Sequence, residues 1–215
     1  MVVGGAQCLK KIYDEVGDIE NIYGYTLSAE QKKFIDKKYG FNVKLKDFIT
    51  AEYEKESFDK IFSIGSIEHV RQCELLPLSK KLSKALKPNG KIVHQFFCQA
   101  EKVFPTRLLS VALLIFPGSE LTSLKQHLDT FEKANLQVTH HSIHDYKPTL
   151  KAWFDRLVAN REAAIQLVGV RNYNKYQCYL AEAWRLFNDY DLMLMRFVLK
   201  PCVIGDNLTS ASSNE

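Results

Sequence analysis

The sequence predicts a single α/β domain in which a doubly wound sheet carries helices on both faces. Strand and helix patterns alternate along nearly the whole chain, and most of the strands are short apolar runs. No Pro-, Gly- or Ser-rich linker divides the 215 residues, 46% of which are hydrophobic, so one substantial core is expected. The domain should span residues 1–204, followed by a disordered polar tail at 205–215.

The elements follow each other in a regular order. Apolar periodicity predicts strands near 20–26, 42–46, 59–65, 91–97, 136–143 and 192–199. It predicts helices near 7–16, 28–39, 71–86, 120–134, 148–168 and 172–187. Ser28 and Gln31 have capping-box spacing, and Pro88-Asn89-Gly90 indicates a turn before the fourth of these strands.

The beginning of the chain is short for a sheet of this kind. Such a sheet starts with a buried strand that runs into a glycine-rich turn, where backbone N–H groups approach a ligand. Met1-Val2-Val3 is too short for that strand, and Gly4-Gly5-Ala6 provides only part of the turn. The first strand is therefore expected to be missing or incomplete, with the central position of the sheet lost. The chain reads as N-terminally truncated, through either a shortened gene model or decay.

Composition excludes several classes of protein. The net charge of +4, from 29 basic and 25 acidic residues, is too small and too scattered to indicate nucleic-acid binding. It would suit contact with anionic lipid headgroups, but an ordinary solvated surface explains it as well. The longest apolar run, Leu108 to Phe116, is too short to span a bilayer, and no signal peptide is evident. Five cysteines without paired spacing indicate a reducing, cytoplasmic location.

The most informative segment runs from Phe58 to Val70. It reads as a buried strand that ends at Gly65 and is followed by Glu68 and His69. Ligands bind outside the carboxyl ends of strands in open α/β sheets, so Glu68 is expected to face a cleft. The alternative is a capping Glu68 and a solvated His69 at the start of the next helix, and for His69 we favour that interpretation.

Further segments complete an ordered set of motifs. The set comprises Ile22-Tyr23-Gly24-Tyr25-Thr26-Leu27, the Phe58–Val70 segment, Leu86–Phe97, Ile115–Leu121 and Asp145–Trp153. From about Gly24 to Lys200 this set resembles the cyclopropane-fatty-acid-synthase family of S-adenosylmethionine-dependent methyltransferases. That family has a lipid-modifying branch and an amine-methylating branch. The resemblance implies a Rossmann-like class I methyltransferase fold whose last strand, near 192–199, is antiparallel.

The resemblance also implies a site for the methyl donor, S-adenosylmethionine. The cofactor-binding residues that it indicates are Gly4, Gly5, Thr26, Leu27, Gln31, Asp47, Phe48, Ile64 and Gly65. Several have structural alternatives: Gln31 as a capping residue, Phe48 as core, and Gly65 as a position that permits close packing. Asp47 is more specific, because an acid at the mouth of a parallel sheet usually has a hydrogen-bonding partner there.

The same resemblance implies the catalytic residues Glu68, His94 and Tyr146. In lipid-modifying members, the residues matching these three and the backbone at Phe96 hold a bicarbonate ion that accepts the proton released after methyl transfer. A positioned base is needed there, because ring closure on an alkylated alkene requires removal of a proton. Taken alone, a buried His94 would more often be a core histidine.

Other candidate sites are set aside. His140, His141 and His144 fall on both faces of a predicted strand, and no acid or thiol completes a metal site. The sequence contains no G-x-S-x-G motif, so a serine hydrolase of that type is not predicted. The favoured function is methylation or cyclopropanation of unsaturated phospholipid acyl chains, with lipid as partner and peripheral membrane contact as a possibility. The alternatives are methylation of a small amine, favoured by Phe97-Cys98 and a short insertion after His94, and an inactive relative.

Overall fold

The protein forms a seven-stranded sheet with helices on both faces. Its structure is a computed structural model that describes residues 2–3, 6–100, 115–116 and 120–202. The strands are β1 (Val2–Val3), β2 (Tyr23–Thr26), β3 (Asn42–Leu45), β4 (Phe58–Ile64), β5 (Leu86–Gln99), β6 (Leu136–His144) and β7 (Leu192–Pro201). The helices are α1 (Ala6–Val16), α2 (Ala29–Lys38), α3 (Gln72–Ala85), α4 (Leu124–Lys133), α5 (Lys147–Ala159) and α6 (Arg161–Asn188), and a 3-10 helix spans Ile67–His69.

The sheet order is β3-β2-β1-β4-β5-β7-β6. Strands β1 to β5 pair in parallel, and β7 runs antiparallel between β5 and β6. This arrangement confirms the predicted α/β class with an antiparallel last strand. Residues 203–215, which include the predicted tail, lie outside the described residues.

Strand β1 comprises Val2 and Val3 in the described residues, and it occupies the centre of the sheet. Val2 pairs with Gly24 on one side and with Phe62 on the other, and Val3 makes the next pair on each side. Two residues therefore join β2 to β4, which corrects the expectation that the sheet would lack its central strand.

The predicted Pro-Asn-Gly turn is present inside β5 as a bulge. Phe58 pairs with Leu86 and Lys60 with Lys91, so one residue of β4 lies opposite four of β5. A Cβ at Gly90 would stand 2.9 Å from the Lys87 carbonyl oxygen, which explains why glycine occupies the bulge.

The segment predicted as one helix over 148–168 is divided. Helix α5 ends at Ala159, with Asn160 as its C-cap, and α6 begins at Arg161. Within α6, Gly169 has φ 79° and ψ 157°, which is not helical and breaks the helix. The break predicted between 168 and 172 is therefore present, and a second break at Asn160 was not foreseen.

The buried side chains form three clusters. One face of the β4-β5-β7 region packs against α3 and α4. The opposite face of β5 and β7 packs against α5 and α6 through Leu150, Leu180 and Leu186. A third cluster, built on Leu9, Ile35 and Val43, lies among α1, β2, α2 and β3. The first two clusters place helices on both faces of the strands that carry the candidate site.

Candidate active site

The carboxyl ends of β2, β3 and β4 form an open edge lined by aliphatic side chains. Leu27, directly after β2, is 73% exposed, and Leu45 and Ile64, the last residues of β3 and β4, are 51% and 41% exposed. Side chains of this type are normally buried, so an exposed row at one sheet edge indicates a ligand surface. Leu27 and Ile64 belong to the predicted donor site.

The junction of β2 and α2 brings two more predicted donor residues together. The Thr26 hydroxyl donates to the Gln31 side-chain oxygen over 2.9 Å, and it accepts from the Ser28 N–H. Ser28 caps α2 by accepting from the Gln31 N–H. Only half of the predicted capping box is therefore formed, because the Gln31 side chain is directed to Thr26 rather than to the Ser28 N–H.

A hydrogen-bonded loop positions Asp47 and Phe48 after β3. One carboxylate oxygen of Asp47 accepts from the Ile49 N–H at 2.8 Å. The Lys81 ammonium group donates to the carbonyl oxygens of Ile49 and Ala51, which holds the loop against α3. Phe48 packs partly buried against the core, so its predicted alternative role is also realised.

Gly65 makes the turn that leads from β4 to Glu68. Its φ of +64° lies in the left-handed region that favours glycine. A Cβ there would have its nearest described neighbour, Glu68 Oε1, at 3.8 Å, an ordinary contact. Backbone conformation rather than close packing therefore explains this glycine.

Glu68 is a buried acid without a side-chain partner for one of its oxygens. Glu68 belongs to the 3-10 helix and is 7% exposed, and its Oε2 atom has no hydrogen-bond partner among the residues that the structure describes. Burial raises the pKa of Glu68 to about 7, against a smaller opposing effect of a backbone hydrogen bond. An acid with such a pKa is suited to accept or release a proton near neutral pH.

Tyr146 lies close to Glu68. The pKa of the Tyr146 hydroxyl is raised by burial and, to a smaller extent, by the charge of Glu68. Its ring packs against Phe97 and Phe187 at centroid distances of 4.9 and 5.3 Å. Two of the three predicted catalytic residues are thus brought together from the end of β4 and the start of α5.

His94 is held on the other face of β5. Its Nδ1 atom is 2.6 Å from the Ser63 hydroxyl, and its ring stacks near Phe131 of α4. Side chains alternate along a strand, so His94 and Phe96 share one face while Phe97, which contacts Tyr146, lies on the opposite face. Burial, with a smaller effect of His127, lowers the pKa of His94 to about 3, so the ring is neutral.

The backbone of Phe96 likewise faces away from this site. Gln95 O accepts from Gly65 N and Gln99 N donates to Thr122 O, so both residues direct backbone groups toward the β4 side. By the two-residue repeat of a strand, Phe97 shares that direction, and Phe96 faces β7. Gln95 therefore shares a face of β5 with Phe97, which contacts Tyr146, and His94 and Phe96 share the other face.

Gln95 was not identified from the sequence. It shares the face of Phe97, and its side-chain oxygen accepts two hydrogen bonds from Arg196, at 2.7 and 3.1 Å. The sequence signal for Gln95 is its spacing of two residues from Phe97, which puts both side chains on the same face of the strand. This signal becomes useful only when Phe97 is known to contact Tyr146.

An apolar cavity of about 400 Å³ lies beside Tyr146. It is lined by Ile115, Phe116, Trp153, Leu157, Tyr176, Tyr179 and Leu180. Trp153 contacts the ring of Tyr146 at 5.9 Å, and Phe116 contacts the ring of His69 at 5.8 Å. The cavity therefore borders Tyr146 through Trp153, and it borders His69, the residue after Glu68, through Phe116.

The remaining predictions are placed as follows. Gly4 and Gly5 lie outside the described residues, as does the apolar run except for Ile115 and Phe116. His69 is exposed at the end of the 3-10 helix. Within the described ranges, no group of three or more His, Cys, Asp or Glu side chains could hold a metal ion. In the same ranges, no helix has both the length and the apolar character to cross a bilayer.

The strand order with an antiparallel β7 is that of a class I methyltransferase fold. The chain belongs to the mycolic acid cyclopropane synthetase family, whose model matches residues 12–197. It is 26% identical over 207 residues to cyclopropane mycolic acid synthase 2 of Mycobacterium leprae, covering 83% of this chain and 67% of that protein. It is 25% identical over 183 residues to the cyclopropane-fatty-acyl-phospholipid synthase of Escherichia coli, covering 83% of this chain and 47% of the relative. The chain thus spans about two thirds of one relative and about half of the other.

A solved structure supports the fold. The mycolic acid cyclopropane synthase CmaA1, in complex with SAH and CTAB, superimposes with a TM-score of 0.83 at 20% identity. The match covers 93% of this chain and 76% of that protein.

Proposed function

We propose that this protein transfers a methyl group from S-adenosylmethionine to an unsaturated acyl chain of a lipid. The observation that carries the proposal is Glu68, a buried acid beyond the end of β4 whose Oε2 atom has no hydrogen-bond partner among the described residues. The family and the bound SAH of the solved relative support the donor. The substrates of the curated relatives, mycolic acids and phospholipid acyl chains by their names, support the acceptor.

The described residues at the sheet edge fit the donor. Exposed Leu27 and Ile64 offer apolar contacts, and Asp47 and the Thr26–Gln31 pair offer polar groups. When bound, S-adenosylmethionine supplies an electrophilic methyl group. Gly4, Gly5, Phe48 and Gly65 complete the proposed donor site, and Gly65 brings the end of β4 around to Glu68.

The residues of the pair fit proton removal. An alkene that has gained a methyl group carries a positive charge, and it closes to a cyclopropane when a base takes a proton from that group. Glu68 is that base in this proposal, because its pKa of about 7 leaves a large ionised fraction at neutral pH. The Tyr146 hydroxyl would orient the carboxylate, and the apolar cavity would hold the chain.

Two of the four predicted bicarbonate contacts, His94 and Phe96, lie on the face of β5 opposite to Phe97, the residue that contacts Tyr146. Glu68 and Tyr146 could contact such an ion, and the orphaned Oε2 atom would accept its proton. His94 is engaged with Ser63 on the opposite face of β5, and the Phe96 N–H faces β7. We therefore assign the proton to Glu68 directly and give His94 a structural role.

A second candidate is methylation of a small amine. The specific observation in its favour is the aromatic lining of the cavity by Phe116, Trp153, Tyr176 and Tyr179, since aromatic faces attract cations. Glu68 would then remove the proton of the amine. In either case the five unpaired cysteines support a reducing, cytoplasmic setting.

The test is methyl transfer from donor with a labelled methyl group. The protein is incubated with vesicles of unsaturated phospholipid, with vesicles of saturated phospholipid, and with a panel of small amines. Label in unsaturated lipid alone supports the proposal, and label in amines alone supports the second candidate. Label in neither, together with calorimetry that detects no S-adenosylhomocysteine binding, would establish an inactive relative.

A further inference from the structure

A sharp corner in α6 exposes a set of aliphatic side chains. Gly169, with φ 79°, kinks the helix, and the Arg161 guanidinium lies 5.9 Å from the ring of Tyr173 on the far side of the corner. Twelve residues of straight helix would span about 18 Å, so this contact agrees with a bend between the two residues. We call the residues at this corner, 166–172, the α6 tip.

The α6 tip buries none of its residues. All seven are exposed, including Leu167 at 84%, Val168 at 49% and Val170 at 54%. Two turns of a surface helix normally hide an apolar stripe, and the rest of α6 does so through Tyr173, Leu180 and Leu186. Three aliphatic side chains at a protruding corner therefore indicate contact with an apolar phase outside the described structure.

The charges around the tip identify that phase. Between residues 156 and 175 the basic residues are Arg156, Arg161, Arg171 and Lys175, and the acidic residue is Glu162. Exposed aliphatic side chains in a stretch with four basic residues and one acidic residue match the interface of an anionic bilayer, where apolar groups enter the acyl region and cations meet phosphates. A protein partner would not require this combination of a narrow apolar point and a basic surround.

We infer that the α6 tip binds the surface of anionic lipid bilayers by inserting Leu167, Val168 and Val170. This inference goes beyond the proposed methyl transfer and does not depend on it. The tip is also close to the cavity: Val170 and Tyr176, a lining residue, are six residues or about 9 Å apart along α6. Docking at the tip would therefore bring a membrane near the cavity.

Vesicle flotation without methyl donor tests the inference. The protein is mixed with vesicles of phosphatidylcholine alone or of equimolar phosphatidylcholine and phosphatidylglycerol. The unmodified chain should float with the anionic vesicles, and added salt should release it. The variant Leu167→Asp/Val170→Asp should partition at least roughly 10-fold less, because each substitution removes an inserted apolar side chain and adds a charge.

A matched control is available in Val16→Asp. Val16, at the end of α1, is 58% exposed, close to the 54% of Val170. This control should bind vesicles like the unmodified chain. A second variant, Arg171→Gln/Lys175→Gln, should keep the fold and lose roughly 10-fold in binding to anionic vesicles.

Three results would overturn the inference. They are no binding to anionic vesicles, equal binding by the double aspartate variant, or a dimer in solution that this variant dissociates, which would identify a second copy as the occupant. If methyl transfer persists while vesicle binding is absent, the inference about the α6 tip is wrong and the proposed function still stands. Thermal melts of each variant confirm that the compared proteins are folded.

Discussion

Glu68 and Tyr146 are neighbours in the folded protein, and the charge of Glu68 adds to the effect of burial in raising the pKa of the Tyr146 hydroxyl. Glu68 follows β4, whereas Tyr146 caps the N-terminus of α5, so the sheet topology is what brings them together. In the proposed function Glu68 is the base, and the Tyr146 hydroxyl orients it.

Replacing Glu68 by Gln should abolish most of the methyl-transfer activity, and it should leave the affinity for the donor nearly unchanged. The amide keeps the shape but cannot accept a proton, so turnover should fall roughly 10²–10⁴-fold. Methyl transfer is measured per folded molecule, and S-adenosylhomocysteine affinity is measured by calorimetry. Glu132→Gln, an exposed position on α4, is the control. Unchanged turnover in Glu68→Gln would exclude Glu68 as the base.

The same variant should change how stability depends on pH. Between the ordinary pKa of 4.5 and the folded value of about 7, the folded protein retains a proton that the unfolded chain releases. The contribution of Glu68 to the free energy of unfolding therefore falls as pH rises through this window, by roughly 3 kcal/mol in total. Urea denaturation at about pH 5 and about pH 8 should show Glu68→Gln gaining stability relative to the unmodified chain at the higher pH. An equal difference at both pH values would contradict the raised pKa.

Tyr146→Phe isolates the hydroxyl group from the ring. The ring contacts with Phe97 and Phe187 remain, so thermal stability should change little. Turnover should fall roughly 10²-fold if the hydroxyl orients Glu68. Tyr190→Phe, at a 67% exposed position, serves as the comparison. A variant that keeps full turnover would assign Tyr146 to packing alone.

Two buried histidines should make the protein sensitive to acid. Burial lowers the pKa of His127 to about 4, and burial with a smaller effect of His127 lowers that of His94 to about 3. Below the ordinary value of 6.5 the unfolded chain binds protons that the folded protein excludes, so stability falls as pH falls. His127→Leu removes one of these groups and also the contact with Thr122, so it should be less stable at neutral pH.

The informative measurement on His127→Leu is the change of its free energy of unfolding with pH. Its free energy of unfolding should fall less between about pH 6.5 and about pH 4 than that of the unmodified chain, by up to roughly 3 kcal/mol. His140→Gln changes an exposed ring and should leave the slope as it is. Parallel slopes for His127→Leu and the unmodified chain would show that His127 is not held neutral.

Gly65→Ala tests the turn between the ligand edge and Glu68. The φ of +64° is unfavourable for alanine, and the added methyl group would meet no close atom, so the cost comes from the backbone. We expect the free energy of unfolding to decrease by about 1–2 kcal/mol and donor affinity to weaken. Gly40→Ala, with φ +69° and open space, should show the stability loss without the effect on the donor. Equal donor affinities in both variants would separate Gly65 from the site.

The alternation of strands and helices was sufficient to predict the α/β class. The apolar residues of a strand repeat every 2 positions and those of a helix every 3.6, and both repeats can be recognised within a single segment. The position of Glu68 beyond a strand end was predictable for the same reason. The relation of His94 to Glu68 was not, since it depends on which face of β5 meets α5. A strand that is apolar on both faces, such as Ile92 to Cys98, leaves that choice open.

Rules based on local sequence also failed at one helix boundary and at one helix cap. Asn160 ends α5 without a Gly or Pro, so the sequence pattern continued through it into α6. The capping box predicted at Ser28 is half formed, whereas Ser123 and Gln126 form a complete one at the start of α4. In the first case Thr26 competes for the Gln31 side chain, a contact that local spacing cannot reveal.

The two-residue strand β1 has a consequence for cooperativity. It alone joins β2 to β4 in the described sheet, and α1, α2 and β3 share a core around Leu9 and Val43, whereas Tyr25 of β2 packs into the main cluster. Hydrogen exchange of β2 and β3 should therefore proceed through a partial opening that leaves β5 and β7 protected. The proposed donor residues Thr26 and Asp47 lie on one side of this seam, and Glu68 lies on the other. A donor bound across it would act as a clamp, so that occupancy of the site couples the two parts of the sheet into one unfolding unit.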